Sequence, residues 1–201
     1  MIKKRLKGLW HFIWDDNSIW SWIVNVILAF VLIKFVVYPV LGLVLGTTHP
    51  IVAVVSGSME HEGKPFEAWW EANKAYYESI GIKKKDFESF TMKNGFNRGD
   101  IIILNKAEKD KLKPGDIIVF RSNRPDPIIH RLTGFNTAQG SFMTKGDHNP
   151  SPISDSTLNE NDVRSSSIIG KAALKIPFLG YIKIWFVDLL NMIIKLAGAS
   201  G

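Results

Sequence analysis

Three residue types in this chain, serine, histidine and aspartate, could together break a peptide bond, and they fall in a suggestive order. Ser56-Gly57-Ser58-Met59 puts two hydroxyls at the end of a short apolar run, split by a glycine. Glycine tolerates backbone angles and close approaches that a side chain forbids, so a serine beside it can be aimed out of a strand end. A serine hydroxyl is a weak nucleophile and needs a base, and the base works best when an acid orients it. Among the five histidines, His11 lies in a basic leader, His49 follows the apolar segment, His61 sits too near Ser58 in sequence to be aimed back, and His148 lies in a turn. His130 alone lies inside an apolar strand pattern, Ile128-Ile129-His130-Arg131-Leu132, where an imidazole would be fixed and shielded from water. Two acids are candidates to orient it: Asp147, after Lys145-Gly146, and Asp155 in the following polar loop. An aspartate after glycine often serves its own turn, so the choice stays open at this point.

The elements that must position these groups can be read from periodicity. Ile19 to Leu45 is about 27 residues broken by one charge, Lys34, against the ~20 needed to cross a hydrocarbon core. Snorkelling or a partner helix accommodates such a lysine. Lys3, Lys4, Arg5 and Lys7 precede the run, holding that end in the cytoplasm, and Trp10, Trp14, Trp20 and Trp22 suit the headgroup depth. The chain therefore divides into a basic cytoplasmic leader (1–18), a transmembrane helix (19–46), a β-rich domain (47–175) and an apolar membrane-associated tail (176–201). About ten residues separate the span from Ser58, at most ~35 Å of extended chain.

Within the β-rich part, Gly99-Asp100 and Pro114-Gly115-Asp116 are turn signals, each followed by a buried strand, 101–104 and 117–120. Strands also fit 51–55, 128–132, 140–145 and 168–172. Short strands separated by turns argue an antiparallel β-barrel or sandwich. The stretch 60–98 is an insertion whose aromatics, Phe66, Trp69/Trp70 and Tyr76/Tyr77, recur at helical spacing. It reads as a small helix packing its aromatic stripe on the neighbouring sheet, in preference to a flap over membrane or substrate. Tyr181–Leu196 carries Lys183, Asp188 and Lys195, which suits a helix in the membrane interface better than a second short crossing. The fold class expected is mainly β: an N-terminal transmembrane helix, an antiparallel barrel or sandwich with a helical insertion, and an apolar C-terminal helix.

Composition narrows the function classes. With no cysteine there is neither a disulfide framework nor a thiolate zinc site. The net charge of +6 is scattered outside the leader, so it points to a membrane surface and not to nucleic acid.

Ser56-Gly57-Ser58-Met59, Arg98-Gly99-Asp100 with its strand, Ile129-His130-Arg131, and Lys145-Gly146-Asp147-His148-Asn149 with the later Asp155 resemble, in order, the boxes of type I signal peptidases. Histidine in the third box is similar to the archaeal and endoplasmic-reticulum branch, where the bacterial branch has lysine. The resemblance implies a membrane-anchored serine endopeptidase that cuts signal peptides after small residues. Ser58 would attack, His130 would serve as general base and Asp155 would orient it. Asp147 would support the site, and the Ser58 N–H with the Ser56 hydroxyl would form the oxyanion hole. Arg131 would be structural. No cofactor or metal is implied. The implied partners are precursor proteins and membrane lipid, with the protein-export channel a further candidate. The alternatives are a related peptidase for other surface precursors and a tethered, non-catalytic β-barrel binding module. His61 stands where the family has proline, and the insertion of roughly 35 residues exceeds an ordinary loop.

Overall fold

The computed structural model describes residues 2–198; Met1 and residues 199–201, the ends of the expected leader and tail, lie outside the described residues. The chain forms two compact units, Met1–Val44 and Leu45–Gly201.

In the first unit, α1 (Ile2–Trp14) is followed by a turn and by α2 (Ile19–Leu32). Ser18 caps α2, its hydroxyl accepting from the Ser21 N–H. Two polar side chains tie the helices together: the Ser21 hydroxyl donates to the Phe12 carbonyl, and the Asn25 amide to that of Ile13. The leader is thus helical up to Trp14. The apolar helix continues through a π turn, Ile33–Val37, into α3 (Tyr38–Leu45). Pro39 supplies the reason: it has no N–H to donate and its ring crowds the carbonyl one turn back, so the helix widens locally. Among the described residues Ile19–Leu45 is the one helix long and apolar enough to cross a membrane.

The second unit is built on one six-stranded sheet: β1 (Ile51–Ala53), β2 (Ile101–Asn105), β3 (Ile117–Phe120), β4 (Ile128–Asn136), β5 (Ser141–Lys145) and β6 (Ile168–Ile176). Their order across the sheet is β1-β2-β6-β3-β4-β5, every pair antiparallel. Among the described residues β1 and β5 stand at opposite ends of the sheet and do not pair, so of the expected barrel or sandwich a closed barrel is not shown. The sheet is covered on both faces, which accounts for the unbroken apolar runs in its centre. Ile117, Val119 and Ile129 join Val54, Met59 and Phe96 in one core, while Ile118, Phe120 and Leu132 join Phe142, Leu158 and Val163 in another.

The 60–98 insertion folds as α4 (Phe66–Ser79) and α5 (Lys84–Glu88). They close a third core of Trp69, Trp70, Tyr77, Ile82 and Phe87, docked on the sheet through the Arg131 guanidinium, which lies 4.8 Å from the Phe87 ring centroid. The tail is helical, α6 (Tyr181–Gly198), and is tied to the Gly99 turn: Gly180 N–H donates to the Gly99 carbonyl. An apolar membrane-associated helix is not supported there. Its sequence is interrupted by Lys183, Asp188 and Lys195, and Ile184 near its start is buried.

Phe87 is fully buried and touches every other aromatic of the insertion core. Truncation to alanine should cost about 3–5 kcal/mol, read as a lower denaturant midpoint for the tryptophan emission of the detergent-solubilised protein.

Candidate active site

Ser58 follows β1 through Val54-Val55, and its carbonyl is held by the His148 N–H at 2.9 Å. The next residue, Met59, is buried in the core, and its sulfur accepts the Asp147 N–H at 3.4 Å. The turn bearing Ser58 is therefore fastened to the loop after β5. The Ser56 and Ser58 hydroxyls are 3.2 Å apart. Gly57 has no left-handed backbone; what a side chain there would meet is the Glu60 carboxylate, 3.1 Å from its Cβ.

Ser58 and His130 line one cavity of about 410 Å³, with Val52, Ala53, Val55 and Ile129 among its apolar walls. Gly146 allows the approach. A Cβ at that position would stand 2.6 Å from the Ser58 carbonyl oxygen and 2.9 Å from His130 Nε2, so both atoms border one gap that only glycine leaves open.

The other ring nitrogen decides the acid. His130 Nδ1 is 2.5 Å from Glu160 Oε1. Glu160 is fully buried, and it also accepts the Thr144 hydroxyl (3.0 Å) and the Ile153 N–H (2.8 Å). With Nδ1–H donating to this carboxylate, Nε2 is left as an acceptor, the tautomer a general base requires. Asp155, expected in this place, is elsewhere. It is exposed, caps its own turn by accepting from the Thr157 hydroxyl and the N–H groups of Thr157 and Leu158, and pairs with Arg124 at 3.0 Å. Those bonds, the Thr157 hydroxyl first, bring its carboxyl down to about 2. It lines a different cavity from Ser58.

Glu160 reaches the ring because residues 153–160 fold back on themselves and residues 160–163 then run beside β5. Thr144 N–H donates to the Glu160 carbonyl, and Phe142 and Val163 exchange both backbone bonds. The signal for it was an alternation hidden in a polar loop: Leu158, Glu160 and Val163 point inward while Asn159 and Asn161 are exposed.

Asp147 lies on the other side of Gly146 and does not meet His130. Its oxygens accept a two-point bond from Arg131 (Nε 2.8 Å, Nη2 2.6 Å), the Tyr77 hydroxyl (3.3 Å) and the His61 ring (3.2 Å). Burial alone would raise its pKa, but the Arg131 charge and bonds, followed by those of His61, hold it well below the carboxylate range. The rest of the Arg131 fork donates to the carbonyls of Thr91, Gly115 and Met92, so all five of its N–H groups are used. Lys145 is buried beside this pair, donating to the Gly146 carbonyl (3.0 Å) and the Tyr77 hydroxyl (3.4 Å). Burial pulls its amine down to about 8, against the opposing pull of the Asp147 and Glu160 charges.

That shift has a consequence for stability. Above pH 8 the folded protein loses the Lys145 proton while the unfolded chain keeps it until about 10.4, so unfolding takes up a proton and stability rises with pH. Between pH 8 and 10 the gain should be about 2 kcal/mol, before Tyr77, whose pKa burial raises, begins to act in the opposite sense. Denaturant titrations across that range should show the rise in the parent chain and its loss in Lys145→Met.

No family model matches the chain. The curated relatives it matches include the signal peptidase complex catalytic subunit SEC11C of human and mouse, 30% identical over 107 residues, half of this chain and 55% of theirs. The catalytic subunit sec11 of Sclerotinia sclerotiorum is 34% identical over 101 residues, 48% of this chain and 59% of the fungal one. The chain thus spans a little over half the length of these relatives. Together with the ordered boxes, these matches identify signal peptidase complex catalytic subunits as homologues of about half of the chain.

Proposed function

We propose that the chain is a membrane-tethered serine endopeptidase that removes signal peptides from precursor proteins. The observation that carries this reading is one cavity lined by a serine and by a buried histidine whose far nitrogen is bonded to a buried carboxylate. In the proposed reaction His130 Nε2 takes the Ser58 proton as the hydroxyl oxygen attacks the scissile carbonyl. Glu160 stabilises the imidazolium that forms and keeps the ring in register. The Ser58 N–H and the Ser56 hydroxyl receive the charge developing on the carbonyl oxygen, where one such donor is commonly worth about 3 kcal/mol of barrier. The imidazolium then protonates the leaving amine, and water releases the acyl group by the same relay. Asp147 supports the site by fastening the Gly146 loop.

The substrate class follows from the tether and the walls. The Ile19–Leu45 helix would hold the enzyme in the cell membrane, with the leader cytoplasmic and Ser58 beyond the outer leaflet. A secretory precursor presents an apolar helix in the bilayer and small residues just outside it. The apolar walls from Val52, Ala53 and Val55 suit small side chains before the cut, with the chain added as a strand beside β1, whose outer edge is free among the described residues. Precursors, membrane lipid and the export channel are the partners this predicts.

Incubation of the detergent-solubilised protein with a secretory precursor, followed by mass-spectrometric mapping of the new N-terminus, tests the reading. Ser58→Ala should abolish cleavage; a variant cutting at the parent rate excludes the mechanism. Glu160→Gln should lower kcat by roughly 10²–10⁴-fold, whereas Asp155→Asn should stay within a few-fold. The reverse ranking would return the orienting role to Asp155.

A further inference from the structure

The cavity that Ser58 and His130 share takes its walls from two separate parts of the second unit. Val52, Ala53 and Val55 belong to β1 and the residues after it, while residues 124–127 belong to the loop joining β3 to β4. Strands β2, β6 and β3 stand between β1 and β4 in the sheet, so β1 does not hold that loop through a ladder. Pro125 and Pro127 have no N–H, which denies the loop a continuous ladder of its own. Its anchor lies on the flank. Asn123 N–H donates to the Thr157 carbonyl at 3.0 Å, and its side-chain amide to the Ser156 carbonyl at 3.4 Å. Arg124 Nε donates to the Thr157 hydroxyl at 3.1 Å, and its Nη2 to Asp155 Oδ2 at 3.0 Å.

The two oxygens of Asp155 divide the work. Oδ1 accepts the Thr157 hydroxyl and the N–H groups of Thr157 and Leu158, which fixes the turn, and Oδ2 is left for Arg124. The Ser154–Asn159 bridge closes this turn into a small hairpin with Glu160 at its foot. Glu160 is held independently of Arg124, by the Thr144 hydroxyl and the Ile153 N–H. Opening the Arg124–Asp155 clasp therefore loosens the wall and leaves the His130–Glu160 bond in place. A pair with side chains 34% and 46% exposed adds little to global stability. Its effect is local: it decides where residues 125–127 stand.

We infer that the Arg124–Asp155 clasp determines the selectivity of the substrate cavity, by fixing the wall at residues 125–127 and with it the size of side chain the cavity admits. Arg124 and Asp155 are positioning residues, acting through that wall on binding and not on the chemistry. The inference rests on the peptidase reading and deepens it. It also gives Asp155, which does not meet the base, a part in the site.

The test uses the full chain in detergent and precursor peptides carrying alanine, valine or leucine in turn at each of the three positions before the cut. Arg124→Met and Asp155→Asn should each raise KM for the alanine peptide by about twofold to fivefold, with kcat held within about twofold. The preference for alanine over leucine in kcat/KM should narrow by a similar factor at one of these positions. The double variant should be no worse than the stronger single one, because either change alone opens the clasp. Thr157→Val, which removes the hydroxyl that Arg124 meets, replaces Asp155→Asn in this comparison if that variant does not fold. Effects that multiply in the double variant, a fall in kcat at constant KM, or an unchanged alanine-over-leucine ratio each overturn the inference while leaving cleavage by Ser58 intact. No cleavage by the parent chain rejects both readings.

Discussion

A buried ion pair, Arg131 with Asp147, is the constraint around which the second unit is arranged. Both side chains are fully excluded from solvent, and removing charge from water costs several kcal/mol per ion unless each hydrogen-bonding group finds a partner. The partners come from everywhere the site needs to be joined: Thr91 and Met92 from the end of the insertion, Gly115 from the turn before β3, Tyr77 from α4 and His61 from the turn after the serine. Satisfying one charge pair thus fixes several loops at once.

Two histidine–carboxylate pairs flank the Gly146 loop, and their surroundings give them different work. His130 with Glu160 borders the cavity that contains Ser58. His61 with Asp147 is stacked against the insertion, and its carboxylate is already engaged by Arg131. An Asp147 carboxylate shared with a guanidinium has little charge to spare for an imidazolium, whereas among the described residues Glu160 makes its close ion-pair contact with the His130 ring. The difference separates an acid of the Gly-Asp turn, prominent in the sequence and bound to Arg131, from an unremarked glutamate in a polar loop that meets the His130 ring.

Much of the arrangement was legible in advance. All six strands lie where turn signals and apolar runs put them, because Gly-Asp and Pro-Gly-Asp stop a strand whatever surrounds them. The aromatic spacing of the insertion gave its helix, and His130 stood out as the one histidine in a strand. Strand order, the open edges of the sheet and the π turn ahead of Pro39 were not legible, since each depends on which segments meet. The place of Asp155 was not legible either. Its side chain is occupied by its own turn, a local competition that sequence spacing does not reveal.

By itself the sequence determined the kinds of group available and their local frames: a serine at a strand end, an imidazole in an apolar strand, a helix long and apolar enough to cross a bilayer, and no cysteine. These follow from short-range rules of backbone freedom, periodicity and composition. Only the tertiary structure decided which acid meets the imidazole, because residues 160–163 must first pair beside β5 to carry Glu160 inward. The loop's local pattern leaves Asp155 and Glu160 both available, and the choice rests on backbone hydrogen bonds to residues far away in the chain.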